Sequence, residues 1–175
     1  PTRLRLREPF AVAYGTHDTA DTVLVRLRTD DGIEAWGEAT PDVHVTGETY
    51  QASIDALAEV LGPAVIGMRL DGGLDAIGID AIVERCDELA WSAPAARAAI
   101  DIAAHDAAQR AGLPLWRFLE QRIVSAGGIA ADKDHLLISR VVSMLDPDAM
   151  ADAAVRHVHA GFSTVGTMKA VPSSS

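Results

Sequence analysis

Between Ala93 and Trp116 the chain reads Ala-Pro-Ala-Ala-Arg-Ala-Ala-Ile-Asp-Ile-Ala-Ala-His-Asp-Ala-Ala-Gln-Arg-Ala-Gly-Leu-Pro-Leu-Trp, and no other stretch constrains the fold as much. The run predicts one long helix with a defined start and stop. Pro94 fits the first turn, where its missing N–H costs nothing. Ser92 is the expected N-cap. Gly112 ends the helix and Pro114 forbids its continuation. Ala99, Ile100, Ala103, Ala104 and Ala107 fall at helical spacing. A face of alanines lets other backbones approach closely, so the helix is expected at the centre of its domain. Asp101 and His105 share a face at i, i+4, while Asp106 points elsewhere. These three supply too few ligands for a helix-borne metal site. The favoured reading is that the aspartates anchor the helix to neighbouring backbone or arginines.

The chain before this helix predicts a three-stranded antiparallel meander. Arg3 to Tyr14 alternates and reads as a strand with one wet face, Pro9 marking a bend or an edge position. Gly15 to Ala20 reads as a polar loop, Thr22–Arg28 as a second strand, and Asp30-Asp31-Gly32 as a tight turn into a third strand over 33–39. The period then changes. A helix opens at Glu48 or Thr49 with Ile54, Leu57, Ala58 and Leu61 on one side, and Gly62-Pro63 ends or interrupts it. A second helix spans Ala76 to Leu89 and carries Cys86. Up to about residue 120 this is an α+β unit.

Residues 120–135, with Gly127-Gly128, read as a linker. Beyond them, Leu136–Leu145 predicts a strand. Asp146-Pro147 starts a helix, with Pro147 at its first position, and Gly161 stops it. Phe162–Met168 predicts another strand, completing a β-α-β unit of parallel type. Two parallel strands and one helix cannot cover both sheet faces.

Charge and cysteine content exclude several partner classes. The net charge of −10 argues against nucleic acid or an anionic membrane surface. Cys86 is alone, so no disulfide framework exists, and a reducing, cytoplasmic compartment is expected. No apolar run approaches the ~18 residues of a membrane span. His157 and His159, at i and i+2 on a helix, cannot ligate one ion together.

Four stretches in this order carry a resemblance: Trp36–Pro41 (Trp-Gly-Glu-Ala-Thr-Pro), Val45–Thr49 (Val-Thr-Gly-Glu-Thr), Ala96–Asp106 and Gly112–Leu115. They resemble the N-terminal capping domain of the enolase superfamily, in its muconate-lactonising subgroup. Pro9-Phe10 and Val45–Thr49 look most like dipeptide epimerases. The resemblance covers residues 4–119 and returns from Ser143 to Phe162. It implies domains at 1–119 (capping domain), 120–135 (linker) and 136–175 (incomplete start of a (β/α)-barrel). It also implies a Mg²⁺ ion held by three barrel carboxylates, and lysines that remove and return a proton alpha to a carboxylate. A metal at the oxygens would stabilise the enediolate, and a lysine of lowered pKa would take the proton. Muconate-type cycloisomerase and o-succinylbenzoate synthase share the fold and stand as alternatives.

The family's second barrel strand carries Lys-x-Lys, and here those positions hold Gly166 and Met168. Lys169, the one catalytic candidate, comes a place late and faces the opposite side of a strand unless a bulge restores the register. No metal ligand is assigned within the chain. By resemblance, Thr16 and His17 in the first loop, and His44 and Thr46 in the second, contact the distal part of a small dipeptide or carboxylate substrate. The expected function is that of an enolase-superfamily isomerase fragment resembling a dipeptide epimerase and inactive as this chain alone. The other reading is a non-catalytic remnant or interaction module that self-associates through its barrel-facing surface.

Overall fold

The structure is a computed structural model and describes residues 1–12, 14–69, 76–110, 112, 114–128 and 137–167. The chain divides into two compact units. One contains Pro1–Leu4 and Asp21–Ala131, the other Arg5–Ala20 and Asp132–Ser175.

The meander forms as expected, in the order β1 (Thr2–Val12), β2 (Gly15–Arg28), β3 (Glu34–Ala39). β1 is an edge strand, which is where Pro9, lacking an N–H, is tolerated. One expectation fails: residues 15–20 are not a loop but the first part of β2. Their side chains are polar or small and largely exposed, so they carry no apolar alternation to betray a strand. β2 pairs antiparallel with β3, with Val23 opposite Ala39 and Arg28 opposite Glu34. The turn between them closes through Gly32 N–H to Thr29 O at 3.1 Å and Thr29 N–H to Ile33 O at 3.0 Å.

β3 alternates cleanly. Ala35, Gly37 and Ala39 are buried, while Glu34, Trp36 and Glu38 face outwards. On the buried face lies the alanine-rich helix α4 (Pro94–Arg110), whose Ala96, Ala99, Ala103 and Ala104 are wholly buried. The approach is close enough to require Gly37. A Cβ there would stand 2.9 Å from Ala103 N and from the Ala99 carbonyl carbon, and nearer still to the Ala99 oxygen.

The helix that follows the meander is irregular. Thr49 caps α1 (Tyr50–Asp55) by accepting from Ala52 N–H at 3.1 Å. The chain then widens into a π-helical stretch, Ala56–Leu61, and continues as α2 (Gly62–Val65). Gly62-Pro63 therefore interrupts rather than ends the helix. Gly62 N–H bonds to Leu57 O, five residues back. The wider turn accommodates a proline that has no N–H and whose ring would clash with a regular α-helical carbonyl. α3 (Ala76–Leu89) matches its expected bounds and contributes Ile82 and Cys86 to a core with Leu61, Ala90, Ala96 and Ile100. α5 (Leu115–Ser125) follows the Gly112–Pro114 break. It extends into the stretch read as a linker, whose residues from 129 lie outside the described ones. Arg122 of α5 pairs with Asp80 of α3. No described helix is long and apolar enough to cross a membrane.

In the second unit, β4 (Ser139–Val142) and β5 (Thr164–Thr167) pair in parallel, Val141 opposite Gly166, with α6 (Pro147–His159) between them in sequence. The β-α-β reading holds, with both strands shorter than expected. Asp146 caps α6 through Ala149 N–H at 3.0 Å, and Pro147 occupies the first turn. Within this unit Met144 N–H donates to Ala11 O at 2.9 Å.

Candidate functional site

The Asp42–Glu48 segment is a compact turn built on one carbonyl. Asp42 O accepts from Val45 N–H at 3.1 Å, Thr46 N–H at 2.9 Å and the Thr46 hydroxyl at 3.2 Å. Asp42 Oδ1 accepts from His44 N–H at 2.8 Å, a side-chain turn typical of aspartate. Thr46 Oγ1 accepts in turn from Glu48 N–H at 3.3 Å. The Thr46 hydroxyl is thus engaged inside the turn. Val43 and Val45 project from it, exposed.

Glu48 closes the turn and leaves it. Its side chain is 2 % exposed. Oε2 accepts from Ala95 N–H at 2.6 Å, and Oε1 accepts from Ala96 N–H at 3.1 Å and from the Ser53 hydroxyl at 2.6 Å. Ala95 and Ala96 are the second and third residues of α4. The expected N-cap, Ser92, therefore does not serve: the helix starts at Pro94, which leaves Ala93 at the capping position. A carboxylate from 47 residues away takes its place, satisfying two orphan amides and opposing the positive end of the helix dipole. With Pro94 as its first residue the helix has no capping side chain of its own, so an acceptor must come from elsewhere, and only the placement of α4 beside the turn identifies it as Glu48.

Thr16 and His17 lie on β2 in the other unit, and the His17 ring meets Tyr14 edge-on with centroids 5.9 Å apart. His44 and Thr46 share the one turn. Lys169 lies outside the described residues. The His157 ring meets Phe162 edge-on, with centroids 6.1 Å apart.

Of the acidic residues and the histidine on α4, Asp106 attaches the helix to the sheet. Asp106 Oδ2 accepts from Trp36 N–H at 2.8 Å and from Arg110 Nε at 2.9 Å. Burial raises the Asp106 pKa, but the hydrogen bonds from Arg110 and Trp36 outweigh it, and the carboxyl sits below its ordinary range. His105 Nδ1 lies 2.8 Å from Asp101 Oδ1 and 2.9 Å from the Asp101 carbonyl oxygen. The carboxylate bond raises the His105 pKa against the opposing effect of burial. The anchoring role expected for Asp106 is met by the bond from Trp36 N–H, whereas its arginine, Arg110, and the Asp101 partner, His105, both lie on α4 itself.

Beside this pair an open groove of about 530 Å³ runs between α4, α5 and Trp36. Trp36, Ile102, Leu115 and Leu119 give it an apolar wall, and His105 and Gln109 a polar one. Sequence reasoning passed over it because its members come from three elements. Among the described residues, no group of three or more His, Cys, Asp or Glu side chains could hold a metal. The Asp101, His105 and Asp106 set does not fit Mg²⁺, since its carboxylates are already committed to His105, Arg110 and Trp36 N–H.

Comparison with known proteins places this geometry. The hydrophobic dipeptide epimerase of Enterococcus faecalis is 36% identical over 166 residues, which is 94% of this chain and 42% of that protein. The N-succinyl-L-Arg/Lys racemase of Bacillus cereus is 30% identical, over 91% of this chain and 40% of its own length. The crystal structure of the dipeptide epimerase from Enterococcus faecalis, complexed with Mg and the dipeptide L-Leu-L-Tyr, superposes with a TM-score of 0.78 at 31% identity. It covers 97% of this chain and 44% of that one. The chain thus spans about two fifths of the length of the relatives it matches. Residues 1–119 match the family model for the mandelate racemase / muconate lactonizing enzyme N-terminal domain. With its meander, its alanine-faced helix and the start of a parallel sheet all in that order, the chain belongs to the mandelate racemase / muconate lactonizing enzyme family of the enolase superfamily.

Proposed function

We propose that this chain supplies the capping portion of a dipeptide epimerase that inverts the carbon alpha to a substrate carboxylate, and that it selects the substrate rather than performing the proton transfer. The observation that carries this reading is the continuous match to a hydrophobic dipeptide epimerase across 94% of the chain. The exposed valines of the Asp42–Glu48 turn, Val43 and Val45, suit an apolar dipeptide side chain. His44, on the same turn, is the polar partner for the peptide portion. The metal-dependent step is assigned to barrel residues of a complete enzyme, because this chain spans about two fifths of the length of its relatives.

The test is a titration of the ¹⁵N-labelled chain with L-Leu-L-Tyr, followed by amide shifts, with α-proton exchange in D₂O and Mg²⁺ run on the same sample. Saturable shifts at residues 43–46 without exchange are expected. Absence of shifts at millimolar dipeptide overturns the capping role, and metal-dependent exchange overturns the assignment of chemistry to residues outside this chain.

A second reading is favoured by one feature. Trp36 and Ile102 on the groove are 44 % and 48 % exposed, a large apolar surface for a free unit. On that reading the chain is a non-catalytic module that self-associates through this face. Sedimentation equilibrium distinguishes the two: a Trp36→Ser, Ile102→Ser variant would shift a self-associating chain to monomer and leave a monomeric one unchanged.

A further inference from the structure

We propose that Glu48 is the positioning residue of the substrate-facing turn, fixing the stem of Asp42–Gly47 to the N-terminus of α4. This rests on the reading that the turn meets the substrate, and adds how the turn is held. The turn is bonded to itself through Asp42 O and Thr46 Oγ1, which sets its shape but not its place. Its place is set at two ends. One end follows β3 directly, where Thr22 Oγ1 donates to Ala39 O at 2.9 Å. The other is Glu48, whose carboxylate takes three donors at once, two from α4 and one from Ser53. A charged acceptor buried with three donors is far stiffer than a solvated one, because leaving any donor unsatisfied costs a full desolvation penalty. The sequence adds a second constraint. Glu48 precedes Thr49, the cap of α1, so the same two residues fix the turn to α4 and start the next helix. A substrate pressing on Val43 or His44 would therefore push against α4 and the sheet beneath it, not against a free loop.

Glu48→Gln keeps the volume and replaces one acceptor oxygen with an NH₂ that cannot accept from an amide. Hydrogen exchange in the folded chain is the readout. Loss of the charged acceptor predicts that the Val45, Thr46 and Gly47 amides exchange about tenfold faster or more. The amides of α3 from Ile79 to Cys86, which make no bond to Glu48, should stay within about twofold on the same footing. A merely structural role would raise both sets together, and that result overturns the proposal, as does an unchanged turn. L-Leu-L-Tyr titrated into both forms should show about tenfold weaker binding to the variant. If the unmodified chain shows no dipeptide response, the substrate-facing reading fails, while the exchange data still decide the role of Glu48. Should Glu48→Gln fail to fold, Ser53→Ala decides instead. It removes only the hydroxyl donor and should speed the turn amides about threefold, with no change counting against the proposal.

Discussion

Gly37→Ala is the most informative single substitution in this chain, because two sound arguments give it opposite signs. On backbone entropy alone, alanine in a strand interior should be stabilising by roughly 0.5–1 kcal/mol relative to glycine. The structure says otherwise. The new Cβ would lie 2.9 Å from Ala103 N and from the Ala99 carbonyl carbon, against an ordinary contact of 3.4–4 Å. All the clashing atoms are backbone of α4, so no side chain can rotate out of the way. Relief requires the helix to lift off the sheet. Such overpacking costs about 1–3 kcal/mol in general. Lifting also opens a gap along Ala35, Ala39, Ala99 and Ala103, all wholly buried. Four buried methyls contribute about 3 kcal/mol at ~0.8 each, and a gap of about 0.5–1 Å forfeits a quarter to a half of the contact energy. The expected loss is about 2–4 kcal/mol. Urea unfolding followed by circular dichroism measures it, and with a slope of about 2 kcal/mol/M the midpoint should fall by about 1–2 M. Gly15→Ala is the control, since nothing lies within 4 Å of its added methyl. If Gly37→Ala is as stable as the parent, or more stable, α4 does not rest on β3 as described and the argument for a central alanine face falls.

Three further outcomes follow from individual groups. The His105 pKa is raised by Asp101, so its contribution is fully present below the unfolded value of about 6.5 and is lost as pH rises through the higher folded value. The melting temperature should therefore decline from pH 6 to pH 9 in the parent and be flatter in His105→Gln, and a parallel decline in both would refute the pairing. Asp146→Ala should cost about 1 kcal/mol through loss of the α6 cap, seen as faster exchange at Ala149 with no change in α4. Burial, reinforced by Asp87, pushes the Cys86 thiol above its ordinary range. Its reaction with a thiol reagent should then track global unfolding in urea, and rapid modification of the folded chain would show that the α3 core is open.

What the sequence disclosed and what it hid divide along a physical line. Patterns that repeat within one element were legible. Ala99, Ile100, Ala103, Ala104 and Ala107 announced a buried helical face, and all five are buried. Asp146-Pro147 announced a helix start and is one. Features that join distant elements were not. Glu48 reads as a loop glutamate until α4 is placed beside it, and Ser92 then reads as the local cap it is not. Residues 15–20 failed for a different reason: a strand with polar side chains on both faces has no period-two signal to find. Of the candidate site residues, the resemblance singled out His44 and Thr46 together, and they do share one turn. Neither periodicity nor resemblance indicated that the Thr46 hydroxyl is already engaged there.

The same helix explains how the turn proposed to meet the substrate is held in place. α4 is held at three levels along its length: to the following turn by Glu48 at its first turn, and to the meander by Gly37 against Ala99 and Ala103 in its middle and by Asp106 to Trp36 N–H near its end. The first and last are carboxylates accepting from backbone amides, which fix direction as well as distance. The middle contact has no side chain on either surface long enough to change rotamer. An interface of alanine, glycine and backbone has almost no alternative packing, so it transmits position without slack. The Asp42–Glu48 turn springs from β3 and ends on α4, the two elements so fixed. Its place is therefore inherited from the scaffold, and on the proposed function substitutions at Val43 or Val45 should change which side chain it accepts without moving the turn itself.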